Sequence, residues 1–398
     1  MFLLEFSEVH PPKKRIIKLS KILEKTHCRK RIEFIPPIFG NVLRFVNLEV
    51  LNIRVSTLNP VQQRISNSLM NETIKWGILG TGRISRAFAE GLKHASNGIL
   101  HAVASRTKTN ADLFAEEWEV PRAFENYQDL AESEEIDAIY IATPHTQHAE
   151  NSILCMKNGK AVLCEKPFAV NSEEVAKMIT QAKESNVLLM EGMWSRFPPL
   201  MHKLREILSS GQIGEIRTLQ ADFGFRPPTR DPKGRLFNLE LAGGSLLDIG
   251  IYPVSLASMV MGRPESFVSD WHCGSTGVDE QASLIFKYKN GSMALLHSSL
   301  ESETRQEAFL SGTEGNIRIH KQCWKPQKMT VDFPCSGKAD VMEMPFEGNG
   351  FNYEAEAFGE LMHAGKKESP IMPLQESLEI VRLMDEIRSS WGLKYPGE

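Results

Sequence analysis

The chain is poor in cysteine. Six occur in 398 residues, at Cys28, Cys155, Cys164, Cys273, Cys323 and Cys335, and no two are closer than nine positions. That spacing excludes a Cys-x-x-Cys pair for zinc or redox work. Reduced, mostly buried thiols are expected, which suits the cytoplasm. No uninterrupted apolar run approaches the ~18 residues a membrane helix needs. Residues 1–10 place apolar side chains ahead of their charges, the reverse of a secretory signal. Glu5, Glu8, Glu24 and Glu33 argue against a transit peptide. An excess of positive charge is also missing: the formal net charge is −4, which gives nucleic-acid binding no electrostatic support. With 41% hydrophobic and 24% charged residues, the composition excludes a disordered, collagen-like or disulfide-scaffold chain. No internal repeat is present, and no His/Cys/Asp cluster stands at metal-ligand spacing, so no metal is expected.

What is there divides unevenly. The length suggests two to three domains. Residues 1–69 carry 12 Lys/Arg against 5 Asp/Glu, leaving 34 against 45 for the rest. The first piece is therefore +7 and the second −11. Either residues 1–69 are a basic appendage, or the true start is Met70 and the upstream part is a misassigned reading frame; the second is the expectation. The division expected is 1–69 as a basic extension, 70–192 as a dinucleotide-binding domain, and 193–398 as a substrate and oligomerisation domain.

From residue 73 to about 192, short apolar runs alternate with helical patterns. Ile99–Ala104, Ile136–Ala142, Ala161–Cys164 and Val187–Met190 read as buried parallel strands. The helix from about 172 has Asn171 as N-cap and Glu174 three residues on. This alternation predicts an α/β doubly wound parallel sheet. Beyond it, Leu219, Ala221, Phe223 and Phe225 alternate as a half-buried strand does. Asn290-Gly291 between two apolar runs predicts a type I′ hairpin. The second half is expected to be α+β, with a largely antiparallel open sheet and a closing helix over 373–391.

Four segments carry chemistry. Gly80-Thr81-Gly82-Arg83-Ile84-Ser85 follows a strand and opens a helix. Gly80 permits the tight turn, and Gly82 lets a pyrophosphate approach the helix N–H groups. Ser105-Arg106 ends the next strand, where an NAD-selective fold places an acid. Arg106, with Lys108 beside it, suits a 2′-phosphate instead, so NADP is expected. Glu165-Lys166-Pro167 stands at a strand end, where an open sheet lines its crevice. Asp248 and Tyr252 are four apart and share a face if helical. A nearby Lys166 cation would favour the phenolate of Tyr252, so the two make an acid/base pair for alcohol–carbonyl interconversion.

Together the strings GILGTGRIS, ASRT, ATPHTQHAENSILCMKNGKAVLCEKPFAVN, EGMWSRFPP, AGGSLLDIGIYPV, GTEGNIRI and WGLKYPGE resemble the glucose–fructose oxidoreductase/inositol dehydrogenase (Gfo/Idh/MocA) family. Within it they resemble the dimeric dihydrodiol dehydrogenase and NADP-dependent xylose dehydrogenase branch. The resemblance implies that Lys166 is the catalytic lysine. It also implies that Asp248 and Tyr252 match an Asp-x-x-x-His pattern in which this branch has Tyr for His. Trp194, Arg196 and Phe197 resemble the segment that reaches the nicotinamide, with core packing as their alternative role. Thr143, Pro144 and His148 resemble the crevice-lining loop, although His148 equally fits a helix start without cofactor contact. Glu165 belongs to the same cofactor crevice. Phe223 and Phe225 are candidates for the substrate pocket, or else core.

The expected reaction is hydride transfer between NADP and a CH–OH or carbonyl carbon of a sugar or trans-dihydrodiol. Tyr252 is the base, with its pKa lowered by Lys166, and Asp248 orients Lys166 or the substrate hydroxyl; the reverse assignment, Lys166 as proton carrier, stays open. Two other functions remain. One is a non-catalytic dinucleotide sensor, and the other is an aldose–aldose oxidoreductase that retains its cofactor. The resemblance also implies a homodimer or higher oligomer through the open face of the second sheet.

Overall fold

The structure is a computed structural model that describes residues 73–398. The extension expected at 1–69 lies outside the described residues. Strands β1 Ile74–Leu79, β2 Gly98–Ala104, β3 Arg122–Phe124, β4 Ala138–Ile141, β5 Ala161–Glu165 and β6 Leu189–Gly192 alternate with helices. The helices are α1 Arg83–Leu92, α2 Lys108–Trp118, α3 Tyr127–Glu132, α4 His148–Lys157 and α5 Ser172–Ser185. The strands form one parallel sheet in the order β3-β2-β1-β4-β5-β6. The middle strands read as continuous apolar runs because helices cover both faces: Trp76, Ile78, Ile139, Tyr140, Val162 and Leu163 are fully buried. Strand order reverses between β1 and β4, and ligands bind in the crevice outside such a switch point. The cap expected for α5 forms: Asn171 Oδ1 accepts from the Glu174 amide at 3.0 Å, and the Glu174 carboxylate takes the Val170 amide.

After α6 (Pro199–Ser209) come β7 Ile216–Gly224, α7 Ile251–Met261, β8 Ser266–Cys273, β9 Asp279–Lys287 and β10 Met293–Ser299. Four more strands follow, β11 Ala308–Gly312, β12 Asn316–Ile319, β13 Lys328–Phe333 and β14 Lys338–Glu343, then α8 Phe351–His363 and α9 Leu374–Trp391. The second sheet runs β14-β13-β12-β11-β7-β10-β9-β8. Every pair is antiparallel except β7–β10. Its inner face buries Leu219, Ala221, Leu284, Phe286, Leu296 and Ile317.

The last two helices return to the first sheet. Leu378 and Val381 of α9 share a cluster with Val175 and Met178 of α5. Phe358 of α8 packs on Trp76 with ring centroids 5.0 Å apart. This shared core fixes the crevice between the sheets. The stretch 239–261 is long and apolar enough to cross a membrane by length and composition, but 72% of its most apolar window is buried inside the fold.

The type I′ turn does not form at Asn290-Gly291. Only Gly291 takes positive φ, +80°, and a longer loop closes through Gly291 N to Tyr288 O and Tyr288 N to Ser292 O. One left-handed residue suffices for that loop, whereas type I′ needs two.

Candidate active site

β5 delivers Glu165 to the carboxyl end of the sheet, and the chain leaves through a cis Lys166–Pro167 peptide. The Lys166 ammonium donates to the Asp248 carbonyl at 2.6 Å and lies 3.5 Å from Asp248 Oδ1. Asp248 sits in a π-helical turn, Leu246–Gly250, that leads directly into α7 and so places Tyr252 in the first turn. Lys166 Nζ stands 4.9 Å from the centroid of the Tyr252 ring. The Tyr252 hydroxyl accepts from Trp194 Nε1 at 3.0 Å, and the indole stacks on Phe351.

The π turn is built from behind. Gly244 takes φ +127°, and a Cβ there would fall 2.0 Å from Asp279 Oδ1. Buried Asp279 accepts from the Leu246 amide at 2.6 Å and from Ser245 Oγ at 3.0 Å. The glycine is thus required so that this carboxylate can hold the turn carrying Asp248.

Burial opposes the charge of Asp248, but Lys166 and Arg235 outweigh it and hold the carboxyl well below its usual range. Arg235 grips it with both nitrogens, Nη1 to Oδ1 at 2.5 Å and Nη2 to Oδ2 at 3.3 Å. Burial also opposes the Lys166 cation, yet Tyr252, Asp248 and Glu165 raise its pKa overall. For Tyr252 the expected sign is corrected. Lys166 does pull the phenol down, but burial pushes harder and the pKa stands above its ordinary value. The resting site therefore holds an ammonium, a carboxylate and an intact phenol.

Three of the expected cofactor residues have their polar groups engaged inside the fold, and their roles are corrected. Arg196 is 2% exposed, and its guanidinium binds Ser255, the Ile371 carbonyl and Glu376. A fully engaged buried guanidinium is a structural anchor, not a cofactor ligand. Glu165 receives the Tyr140 hydroxyl and the Lys166 amide, and burial pushes its pKa up to about 6. It supports the strand end from within. The ring nitrogens of His148 lie 2.8 Å from Pro167 O and 3.0 Å from Thr143 O, tying the two crevice loops together. Its neighbour His145, unnoticed in the sequence, is also buried. Burial first, then His148, drive its pKa down to about 3, with smaller electrostatic contributions from Asp248, Lys166 and Arg235.

The dinucleotide candidates fit an anion. Gly80 takes φ +105°, and a Cβ there would fall 2.8 Å from the Ala142 carbonyl oxygen, so both the turn and the close approach call for glycine. Gly82 is the N-cap of α1 and no side chain caps the helix. A Cβ at Gly82 would meet nothing within 4 Å, so there is open space beside this uncapped helix start. Ser85 is buried beneath them, Ile84 is half-buried, Arg83 is exposed and the Thr81 carbonyl holds Arg86. At the end of β2, Ser105 is buried and Arg106 exposed. Lys108 pairs with Asp112 at 2.5 Å on the surface, and the exposed Arg106 is the candidate for a 2′-phosphate. Across the crevice Pro144 is exposed, and Thr143 Oγ1 accepts from Asn151.

Beside Tyr252 stands an aromatic wall. Phe223 lies 5.6 Å from the Tyr252 ring and 6.2 Å from Phe225. It stacks on Trp324 at 3.5 Å, a residue the sequence did not mark. The fold also brings His272, Glu280 and Glu301 within 4.8 Å of one another, which linear spacing hid. Arg230 already ion-pairs with both acids, so the trio carries no metal reading.

Residues 74–193 match the family model described as "Oxidoreductase family, NAD-binding Rossmann fold", and residues 201–318 match the GFO/IDH/MocA C-terminal domain. The chain belongs to the GFO/IDH/MocA oxidoreductase family. Among its GFO/IDH/MocA relatives is trans-1,2-dihydrobenzene-1,2-diol dehydrogenase of Mus musculus. It is 37% identical over 335 residues, covering 81% of this chain and 98% of the relative. Two solved structures of the family share the fold. The 3-ketoreductase KijD10 of Actinomadura kijaniata, in complex with NADP and TDP-benzene, superposes with a TM-score of 0.71 at 25% identity, over 80% of this chain and 98% of that one. An aldose–aldose oxidoreductase from Caulobacter crescentus, complexed with glycerol, gives a TM-score of 0.73 at 25% identity, over 80% and 97%.

Proposed function

We propose that this GFO/IDH/MocA oxidoreductase is an NADP-dependent enzyme that interconverts a CH–OH group and a carbonyl on a trans-dihydrodiol or a sugar. The observation that carries this is the Lys166 ammonium lying on the Tyr252 ring and tied to Asp248, at the carboxyl end of the parallel sheet that also holds the open start of α1. The nicotinamide, when bound, supplies or accepts the hydride. Gly80, Thr81, Gly82, Arg83 and Ile84 cradle its pyrophosphate, and Arg106 receives the 2′-phosphate. Trp194 acts by holding the Tyr252 hydroxyl.

Tyr252 moves the proton. In reduction its intact phenol gives a proton to the developing alkoxide, and the Lys166 cation stabilises the charge left behind. In oxidation Tyr252 must first lose that proton, so the rate rises with pH. The raised pKa of Lys166 and its 2.6 Å bond to the Asp248 carbonyl count against a neutral Lys166 as proton carrier. The Phe223–Trp324 wall offers a flat apolar surface suited to the face of a ring that carries two hydroxyls.

The division of labour follows at 70–192 for the cofactor and 193–398 for substrate and oligomerisation. Val268, Ile285 and Leu295 lie side by side on the open face of the second sheet, with Val268 56% and Leu295 41% exposed. Such an apolar row supports a homodimer formed through that face. Five free cysteines among the described residues are compatible with a reducing compartment such as the cytoplasm.

The test is a panel of trans-dihydrodiols and aldoses, including xylose, offered with NADP⁺ and with NAD⁺ while reduced cofactor is followed by absorbance. NADP⁺-dependent turnover of one class supports the proposal. Cofactor binding without turnover on any substrate favours the sensor role.

A further inference from the structure

Residues 225–245 join β7 to the π turn, and Arg235 lies in their middle. Its side chain is 47% exposed, whereas the Asp248 carboxylate it grips is 7% exposed. The fold sets this arginine in place. Gly244 N donates to Leu236 O at 3.0 Å. A Cβ on Gly243 would fall 2.8 Å from the carbonyl oxygens of both Arg235 and Leu236. The backbone around Arg235 is therefore packed against the two glycines that open the catalytic turn. The next residues, Leu236 and Phe237, enter the cluster of Phe223, Ile249 and Tyr252.

The distances rank the partners of Asp248. Oδ1 lies 2.5 Å from Arg235 but 3.5 Å from Lys166, whose short bond goes to the backbone carbonyl. A planar, two-pronged grip of this kind fixes a carboxylate in orientation as well as in position. Around the guanidinium stand Asp248 and Tyr252 from the π turn and α7, Glu165 and Lys166 from the end of β5, and His145 from the loop after β4.

We propose that Arg235 is a positioning residue for the reaction: its fork fixes Asp248 and thereby Lys166, and it supplies the second positive charge against which Tyr252 titrates. The inference rests on the catalytic reading of Lys166, Asp248 and Tyr252. Its two parts separate by chemistry. A lysine at 235 keeps the charge and loses the fork, while a glutamine loses both.

The experiment compares Arg235→Gln and Arg235→Lys with the wild-type chain, measuring kcat in the oxidation direction against pH, NADP⁺ binding by fluorescence, and thermal melting. Arg235→Gln is expected to lose about 10- to 100-fold in kcat with NADP⁺ affinity unchanged. Removing a cation disfavours loss of the phenolic proton, so its alkaline limb should move up by about one pH unit. Arg235→Lys should return the limb to its wild-type place while recovering kcat only in part. Wild-type kcat and limb in Arg235→Gln would overturn the inference. So would a fall in kcat and melting temperature with the limb unmoved in both variants, which is the mark of a purely structural arginine. A Lys166→Met control separates the two levels: if it turns over normally, the catalytic reading fails rather than the role of Arg235 within it.

Discussion

Lys166 lies over the ring of Tyr252. The ammonium lies 4.9 Å from the centre of the ring, and the hydroxyl is left to Trp194 at 3.0 Å. The lysine thus acts on the phenol through its field, while a neutral indole N–H holds the oxygen that carries the proton. Trp194→Phe removes that donor and should raise the pKa of Tyr252 further. The expected result is about a tenfold loss of oxidation rate at neutral pH, recovered at alkaline pH, with NADP⁺ affinity unchanged. A pH–rate profile of the variant checks it; an unshifted profile would show that the indole does not govern the phenol.

Arg106 is an exposed cation at the end of β2, and Lys108, also exposed, pairs with Asp112. Arg106→Ala should raise the KM for NADP⁺ about 10- to 100-fold and leave that for NAD⁺ nearly unchanged, because only the former carries the 2′-phosphate. Steady-state kinetics with both cofactors decide the point, and equal responses would remove the phosphate assignment.

The open face of the second sheet yields a prediction on assembly. Leu295→Lys sets a charge at one end of the Val268–Ile285–Leu295 row. Light scattering should show a dimer for the wild-type chain and a monomer for the variant, each with its fold intact by circular dichroism. A monomeric wild type contradicts the assembly.

Buried carboxyls shape the stability profile. Glu191 is fully buried, and burial pushes its pKa up to about 7. A raised carboxyl pKa favours the folded state below the unfolded value, and that contribution is lost as pH rises through the folded value. Glu191→Gln should therefore melt progressively higher relative to wild type from about pH 4.5 to about pH 7, and the difference should level off above that. Buried His145 and His148 have lowered pKa values and act oppositely on acidification, so the difference between the two proteins is the informative quantity. A constant difference across the range would place no ionising carboxylate at that site.

Much of the candidate site was legible because its pieces are local. A strand, a glycine turn and a helix follow one another at Ile74–Leu92. Lys166 ends a strand, and Tyr252 opens an apolar helix. What stayed hidden is long-range. Arg235 and Trp324 join the site only when the sheet folds against α7, and no spacing links them to Asp248 or Phe223. For Arg196 the resemblance left both a cofactor role and core packing open, because a sequence does not show that Ser255 and Glu376 consume its guanidinium. Strand β14 escaped notice because Lys338–Glu343 is exposed along nearly its whole length and shows no buried alternation. The hydroxyl of Tyr252 carried the wrong sign for a similar reason, since a sequence shows its lysine but not the depth of its burial.

The most direct test of the account is the appearance of reduced cofactor when the wild-type chain and Lys166→Met are each mixed with NADP⁺ and a trans-dihydrodiol or aldose substrate. The account predicts turnover by the wild type and a loss of several orders of magnitude in the variant, with NADP⁺ binding to both alike; near-normal turnover by Lys166→Met would contradict it.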